Sequence, residues 1–303
     1  MKTELDHLPQ AKTRELARVV EILFAAFEAA IAGGAMPYKR KGAILKIILF
    51  GSYARGDWVD DPVGGYISDY DLLVVVNDDK LTDITDYWSK AEDHLLREYG
   101  ISHKLTAPAS FIVHSLNDVN QQLRLGRYFF TDIVRDGIVL YEAPGHAFAQ
   151  PETLAPAEVL KEAQGYFDEW FPSAGNFLKL ATAASNKDMA KEAAFLFHQT
   201  TERLYHCVLL VLTLYSPKSH KLNFLRSQAE QLDGGLIGVW PRRTKFEQRC
   251  FELLRRAYVD ARYSPHYKIS DEELAWLGER VTVLLALVKA ACEDRLLMLR
   301  IES

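Results

Sequence analysis

The sequence predicts an α+β chain in two parts, a mixed N-terminal part of strands and helices and an all-helical C-terminal part. Three observations predict it. Two continuous apolar runs of strand length, residues 43–50 (AILKIILF) and 72–76 (LLVVV), fall in the first half. Residues 142–156 then bring three prolines, a glycine and small residues, the composition of a linker. Beyond them, apolar residues recur at three- and four-residue steps nearly to the end of the chain. The domains are therefore expected at 1–145 and 156–303, a division that suits 303 residues.

The elements follow in order. In residues 3–32, Leu5, Leu16, Val19, Val20, Leu23, Phe24 and Phe27 mark one face of an amphipathic helix, stopped by Gly33 and Gly34. The two apolar runs read as buried strands. A helix is expected over 81–99, a strand over 110–114 (SFIVH), a helix over 117–125 and a short strand over 138–141 after Gly137. In the second part, helices are expected over 157–180, 188–215, 221–232, 244–263 and 271–300, a bundle of about five. Pro172, Pro217, Gly234 with Gly235 and Pro265 are placed at its breaks.

Composition narrows the class. Apolar residues make up 49% and charged residues 25%, the balance of an ordinary globular protein. The net charge of −5 means that any nucleic-acid contact must come from a local basic patch. The acidity sits in residues 1–150, with 16 Lys and Arg against 21 Asp and Glu. Cys207, Cys250 and Cys292 are too few and too scattered for a disulfide framework or a cysteine-rich zinc site, which fits a reducing cytoplasm. No signal-peptide pattern opens the sequence and no apolar run has the length of a membrane span, so a cytoplasmic protein without membrane contact is expected.

The chemistry concentrates between the two apolar strands, in FGSYARGDWVDDPVGGYISDYDLLVVV. The first strand delivers Gly51 and Ser52 to a helix start, where unpaired backbone N–H groups favour an anion. Gly51 lets the backbone approach a phosphate, Ser52 adds a hydroxyl, and Arg55 one turn on offers a charge-assisted contact. Asp69 and Asp71 stand at the mouth of the second strand. Alternation along a strand puts both carboxylates on one face, where a divalent cation such as Mg²⁺ or Mn²⁺ relieves their repulsion.

Gly51, Ser52, Asp69 and Asp71, with the form GSYARGD, resemble the small nucleotidyltransferases of the DNA polymerase β superfamily over residues 40–142. The resemblance implies a polymerase β-like fold with Mg²⁺ held by Asp69 and Asp71. It also implies transfer of a nucleoside monophosphate, often AMP, from ATP or another nucleoside triphosphate to a hydroxyl, with release of pyrophosphate. Two features depart from that pattern. The 16-residue spacer between Ser52 and Asp69 reads as an inserted loop that shapes access to the site. The third carboxylate usual on a later strand has no counterpart in SFIVHS, where Ser110 or His114 takes the face. Either the strand register differs, or transfer is slow or lost while nucleotide binding survives. His114 is a candidate replacement base.

The helical part resembles the HEPN domain over residues 157–298. It has a long helix (EAAFLFHQTTERLYHCVLLVLTLY), a Ser-His-x-Leu-like start (KSHKLNFL) and a late helix ending in Arg and His (RRAYVDARYSPHYKIS). In ribonucleases of that family an Arg and a His with four to six residues between them meet across a dimer interface and cleave RNA without metal. Here Arg262 and His266 are one residue short of that spacing, and serve as a catalytic pair, a binding site or a helix end. Arg242, Arg243, Lys245, Arg249, Arg255 and Arg256 form a basic concentration, a candidate RNA-binding stripe or a solvated face. Tyr263 and Tyr267 are expected to expose hydroxyls that a nucleotidyltransferase could modify.

Nucleotidyltransferase and HEPN chains pair in toxin-antitoxin systems, and this chain looks like a fusion of the two. It also resembles aminoglycoside nucleotidyltransferases in plan. The expected function is Mg²⁺-dependent nucleotidyl transfer to a protein, RNA or small-molecule hydroxyl, in a homodimer, with RNA as a further partner of the helical domain. The alternatives are a metal-independent HEPN endoribonuclease and a non-catalytic nucleotide-binding regulator.

Overall fold

A computed structural model describes residues 1–61 and 66–303. The chain divides into two compact units between Thr153 and Leu154.

The N-terminal unit opens with helix α1 (Gln10–Ile31), which begins later than its apolar periodicity suggests because Pro9 occupies the N-cap. A residue ahead of a proline is pushed out of the helical region, so the helix cannot extend backwards. The short α2 (Pro37–Arg40) leads to strand β1 (Ile44–Phe50) and helix α3 (Gly51–Arg55). A ribbon of β2 (Asp60–Asp61) and β3 (Tyr66–Ile67) precedes β4 (Tyr70–Val76). The helix expected over 81–99 is broken. A 3₁₀ turn at Asp79–Leu81 and a π turn at Ile84–Trp88, whose entry Asp83 caps, stand before α4 (Ser89–Gly100). Then come β5 (Ala109–Ser115), α5 (Leu116–Arg124), α6 (Tyr128–Asp136) and β6 (Ile138–Glu142).

The four long strands form a mixed sheet in the order β5-β4-β1-β6. β4 runs parallel to β5, and β1 runs antiparallel to both β4 and β6. Every residue of β1 and β4 is buried, which is why both read as nearly continuous apolar runs rather than alternating ones, interrupted by Lys46, which pairs with Glu142 of β6, and by Asp71. Ile47, Leu49, Leu72 and Val74 pack in one core with Leu16, Val19, Leu23 and Phe27 of α1. Trp88 stacks on Phe27 at 5.0 Å and donates its indole N–H to Leu81 O. α6, which the sequence does not announce, covers strand residues from the other face: Phe129 meets Phe50 edge-on at 5.5 Å, and Phe130 meets His114 at 5.1 Å.

The second unit is helical: α7 (Pro156–Ser185), α8 (Ala190–Thr213), α9 (Leu222–Leu232), a 3₁₀ segment at Gly234–Val239, α10 (Lys245–Tyr263) and α11 (Asp271–Glu302). Pro172, placed at a break by the sequence, lies inside α7. The neighbouring turns carry the helix through the one backbone bond that proline removes. Capping boxes at Thr244/Glu247 and Ser270/Glu273 start α10 and α11. α8 is the central helix, packed by α7, α9, α10 and α11. Its threonines are accommodated by bonding back along the helix, as Thr200 Oγ1 does to Leu196 O at 2.9 Å and Thr201 Oγ1 to Phe197 O at 2.9 Å.

Two histidines of α8 are also buried. Burial, with smaller contributions from the nearby His220 and Arg262 charges, pushes His198 down to about 3. Burial pushes His206 down to about 4 against the opposing carbonyl of Ser219. Both rings are neutral in the folded protein but take up protons in the unfolded chain near pH 6.5, so the unfolded state binds more protons as pH falls. Stability should therefore be complete above about pH 6.5 and decline below it, by up to about 1.4 kcal/mol per pH unit for each histidine. Urea midpoints taken between about pH 7 and pH 5 test this. The wild type should lose stability over that range, His198→Gln should show a slope smaller by about one proton, and a flat wild-type profile would contradict the argument.

Candidate active site

The site is built where β1 ends beside the start of β4. Phe50, the last residue of β1, pairs with Asp71. Gly51 follows with φ +73°, a left-handed conformation that glycine adopts at little cost, and turns the chain into α3. Gly56, with φ +90°, closes that turn by donating its N–H to Ser52 O at 2.8 Å. The Ser52 hydroxyl is buried and has no hydrogen-bond partner among the described residues. An unmet buried hydroxyl costs about 1–3 kcal/mol, and a polar group arriving from outside would recover it.

Asp69 and Asp71 flank Tyr70, so alternation puts the two carboxylates on one side and the phenol on the other. Asp71 is fully buried, whereas Asp69 is half-buried and accepts a long hydrogen bond from Ser110 Oγ at 3.5 Å. Ser110 is the register partner of Asp71. His114 pairs instead with Val75, about 13 Å farther along the strand at 3.3 Å per residue. Its Nδ1 lies 2.5 Å from Asp118 Oδ2. His114 is therefore not placed to act at Asp69 and Asp71, and the face of β5 beside them carries Ser110 and Ile112.

Behind the carboxylates lies a buried polar network that the sequence does not announce. The Tyr70 hydroxyl donates to Glu15 Oε2 at 3.0 Å. Glu15 also accepts from the Thr106 backbone N–H at 2.9 Å and from Thr106 Oγ1 at 2.8 Å, and Lys12 Nζ donates to Thr106 Oγ1 at 2.6 Å. Burial first, then the Glu15 charge, push the Tyr70 hydroxyl far above the usual phenol range, so it stays a donor. The network ties α1 to the mouth of β4 and to the segment entering β5. The only early sign of it is Lys12 and Glu15 on the face of α1 that also buries Leu16 and Val19.

The rim is polar. Arg55 Nε donates to Asp57 Oδ2 at 3.2 Å, both side chains being exposed. Asp132 of α6 lies within electrostatic reach of Arg55; burial raises its carboxyl, opposed chiefly by Arg135. Trp58 stacks on Tyr53 at 5.4 Å, which anchors the start of the inserted loop. The loop's centre, residues 62–65, lies outside the described residues, and with it part of the expected role in access. Among the described residues no group of three or more His, Cys, Asp or Glu is arranged to hold a metal, so the donor set here is the two carboxylates.

In the helical unit Arg262 and His266 are both exposed, and no hydrogen bond joins them. Arg262 lies over Tyr258, Tyr263 and Phe195 and donates to Tyr258 O at 2.6 Å. Tyr263 is 73% exposed, but Tyr267 is 2% exposed with its hydroxyl donated to Leu253 O, which corrects the expectation that both hydroxyls face solvent. The basic concentration is largely neutralised: Arg249 pairs with Glu273, Arg255 with Glu252, Arg256 with Asp260 and Arg242 with Glu230. The carboxylates four residues or fewer away, or on a facing helix, make it a solvated face rather than an open cationic stripe.

Among the described residues no helix is long and apolar enough to cross a membrane. The family model described as "Polymerase beta, Nucleotidyltransferase" matches residues 37–144, and the model described as "HEPN domain" matches residues 167–291. A protein of Methanocaldococcus jannaschii named "Putative protein adenylyltransferase MJ0604" is 35% identical over 107 residues, 35% of this chain and 88% of that protein. With Gly51-Ser52 and Asp69-x-Asp71 meeting at one end of the two central strands inside the matched segment, the chain belongs to the polymerase β-type nucleotidyltransferases and carries a C-terminal HEPN domain.

Proposed function

We propose that the N-terminal unit transfers AMP from ATP to a protein tyrosine hydroxyl, with Asp69 and Asp71 holding Mg²⁺ or Mn²⁺ and Gly51, Ser52 and Arg55 engaging the triphosphate. The observation that carries this is the Phe50–Asp71 pairing, which sets a glycine turn with an unpartnered buried hydroxyl against two carboxylates on one face. The residues fit the ion. Mg²⁺ commonly takes one or two protein carboxylates and fills its shell with phosphate oxygens and water. When bound, the ion neutralises phosphate charge and eases attack at the α-phosphorus.

The chain's own groups have distinct parts. Gly51 allows close approach of the backbone, and Ser52 Oγ donates to a phosphate oxygen. Arg55 exchanges its weak, exposed pairing with Asp57 for a stronger one with phosphate. A protein acceptor is supported by the name of the archaeal relative. In this chain Tyr263 has an accessible hydroxyl, whereas Tyr267 does not.

Incubation with α-labelled ATP and Mg²⁺ tests the proposal. Label should pass to protein, Asp71→Asn should lower transfer by roughly a thousandfold, and Tyr263→Phe should remove any label the chain places on itself. Wild-type protein that labels no protein, RNA or small acceptor would overturn it. Tyr70→Phe probes the network behind the carboxylates. Transfer should fall about tenfold and Mn²⁺ binding, followed by electron paramagnetic resonance, should weaken similarly, while nucleotide KM changes little. Unchanged Mn²⁺ binding would reduce that network to a purely structural role.

A further inference from the structure

Where α8 ends, the helical unit holds a serine and a histidine that the proposed adenylyl transfer does not use. The helix stops at Leu214, which takes φ +57°, a left-handed backbone that a bulky side chain adopts only under strain. The turn brings Ser216 back onto α8, with its Oγ 2.6 Å from Nδ1 of His206. Nε2 of the same ring lies 3.2 Å from Ser219 O. A carbonyl oxygen only accepts, so Nε2 carries the ring proton, Nδ1 keeps its lone pair and the Ser216 hydroxyl donates to it. His206 is 8% exposed, whereas Ser216 is partly open to solvent. Trp170 packs against the imidazole at 5.3 Å, and Arg203, three residues before His206 on α8, lies over the same indole at 5.6 Å. Arg203 also lies over Phe177 at 4.8 Å, and its Nε has no hydrogen-bond partner among the described residues.

A hydroxyl that donates to a neutral imidazole, itself oriented by a carbonyl at its other nitrogen, has the arrangement that turns serine into a nucleophile. We propose that Ser216 is a nucleophile and His206 its general base, in a site that hydrolyses small activated acyl esters. Ser216 Oγ bonds to the ester carbonyl carbon while its proton passes to His206 Nδ1. The bond to the leaving oxygen then breaks, and the imidazolium returns the proton to that oxygen. Water adds to the acyl-serine by the same relay, which frees a carboxylic acid and restores the Ser216 hydroxyl. Arg203 is the cation beside the imidazole that meets the charge developing on the carbonyl oxygen. Burial pushes His206 down to about 4, so its lone pair is free at neutral pH but weakly basic. That limits the substrates to esters with acidic leaving groups, such as phenyl esters, rather than amides. No step needs a metal or a nucleotide, so the site does not depend on the proposed adenylyl transfer.

Treatment of the full chain, in EDTA, with an alkyl phosphonofluoridate tests the nucleophile. Ser216 Oγ displaces fluoride from phosphorus and passes its proton to His206, so peptide mapping by mass spectrometry should find one phosphonyl group, on Ser216. His206→Gln should slow labelling by about a hundredfold or more, and Arg203→Met by about tenfold or more. Wild-type protein should also release p-nitrophenol from p-nitrophenyl acetate, and Ser216→Ala should abolish both reactions. That variant removes a single oxygen from a partly exposed loop, so it remains decisive if His206→Gln fails to fold. The proposal is overturned by absence of label on Ser216, by ester turnover that survives Ser216→Ala, or by labelling without ester turnover.

Discussion

The pairing of β1 with β4 is the constraint on which the N-terminal unit depends. Both strands are buried along their whole length, so a one-residue slip would turn Asp71 toward the apolar core under α1 and a leucine toward the site. The core residues Ile47, Leu49, Leu72 and Val74 thus fix the register, and the register sets Phe50 against Asp71. Gly51 and Ser52 come next along the chain, so the glycine turn and the carboxylates meet because the hydrophobic core leaves them no other arrangement.

That dependence explains what the sequence discloses. Strands β1 and β4 are legible because burial on both faces requires nearly continuous apolar residues, and helices α8 to α11 are legible from their apolar periodicity, with capping boxes marking the starts of α10 and α11. The long helix over 81–99 is misjudged because Asp78 and Asp83 open local turns, their carboxylates accepting from the Lys80 and Asp86 backbone N–H groups in competition with a continuous helix. α6 escapes notice because its nine residues open on a run of aromatics, whose partners Phe50 and His114 are distant in sequence. Pro172 misleads in the opposite direction, since helix packing outweighs a single lost backbone bond.

The same division runs through the site. Gly51, Ser52, Asp69 and Asp71 are visible from spacing alone, because strand alternation and turn chemistry are local rules. Glu15, Lys12 and Thr106 are not, because they reach Tyr70 only through the tertiary fold. Likewise the arginines of α10 look like an open basic stripe until their partners are placed. Glu252 and Asp260 lie three or four positions away on the same helix, while Glu273 comes from α11. Charge counted along a sequence says nothing about which charges remain unneutralised.

The buried network behind Tyr70 bears on why the site has this form. A charged Lys12 and Glu15 with little exposure are expensive to desolvate, and apolar residues of similar size often stabilise such positions better. Their bonds converge on the two points that must not move if Asp69 and Asp71 are to share one ligand: the phenol between them and the segment entering β5 beside Ser110. Two like charges on one face repel, and in a strand held only by apolar packing the mouth would yield by fraying. Hydrogen bonds from a helix to the opposite side of the strand resist that motion without occupying the face that carries the two carboxylates. The unit thus trades part of its stability for a carboxylate pair that is already in place before any ligand arrives.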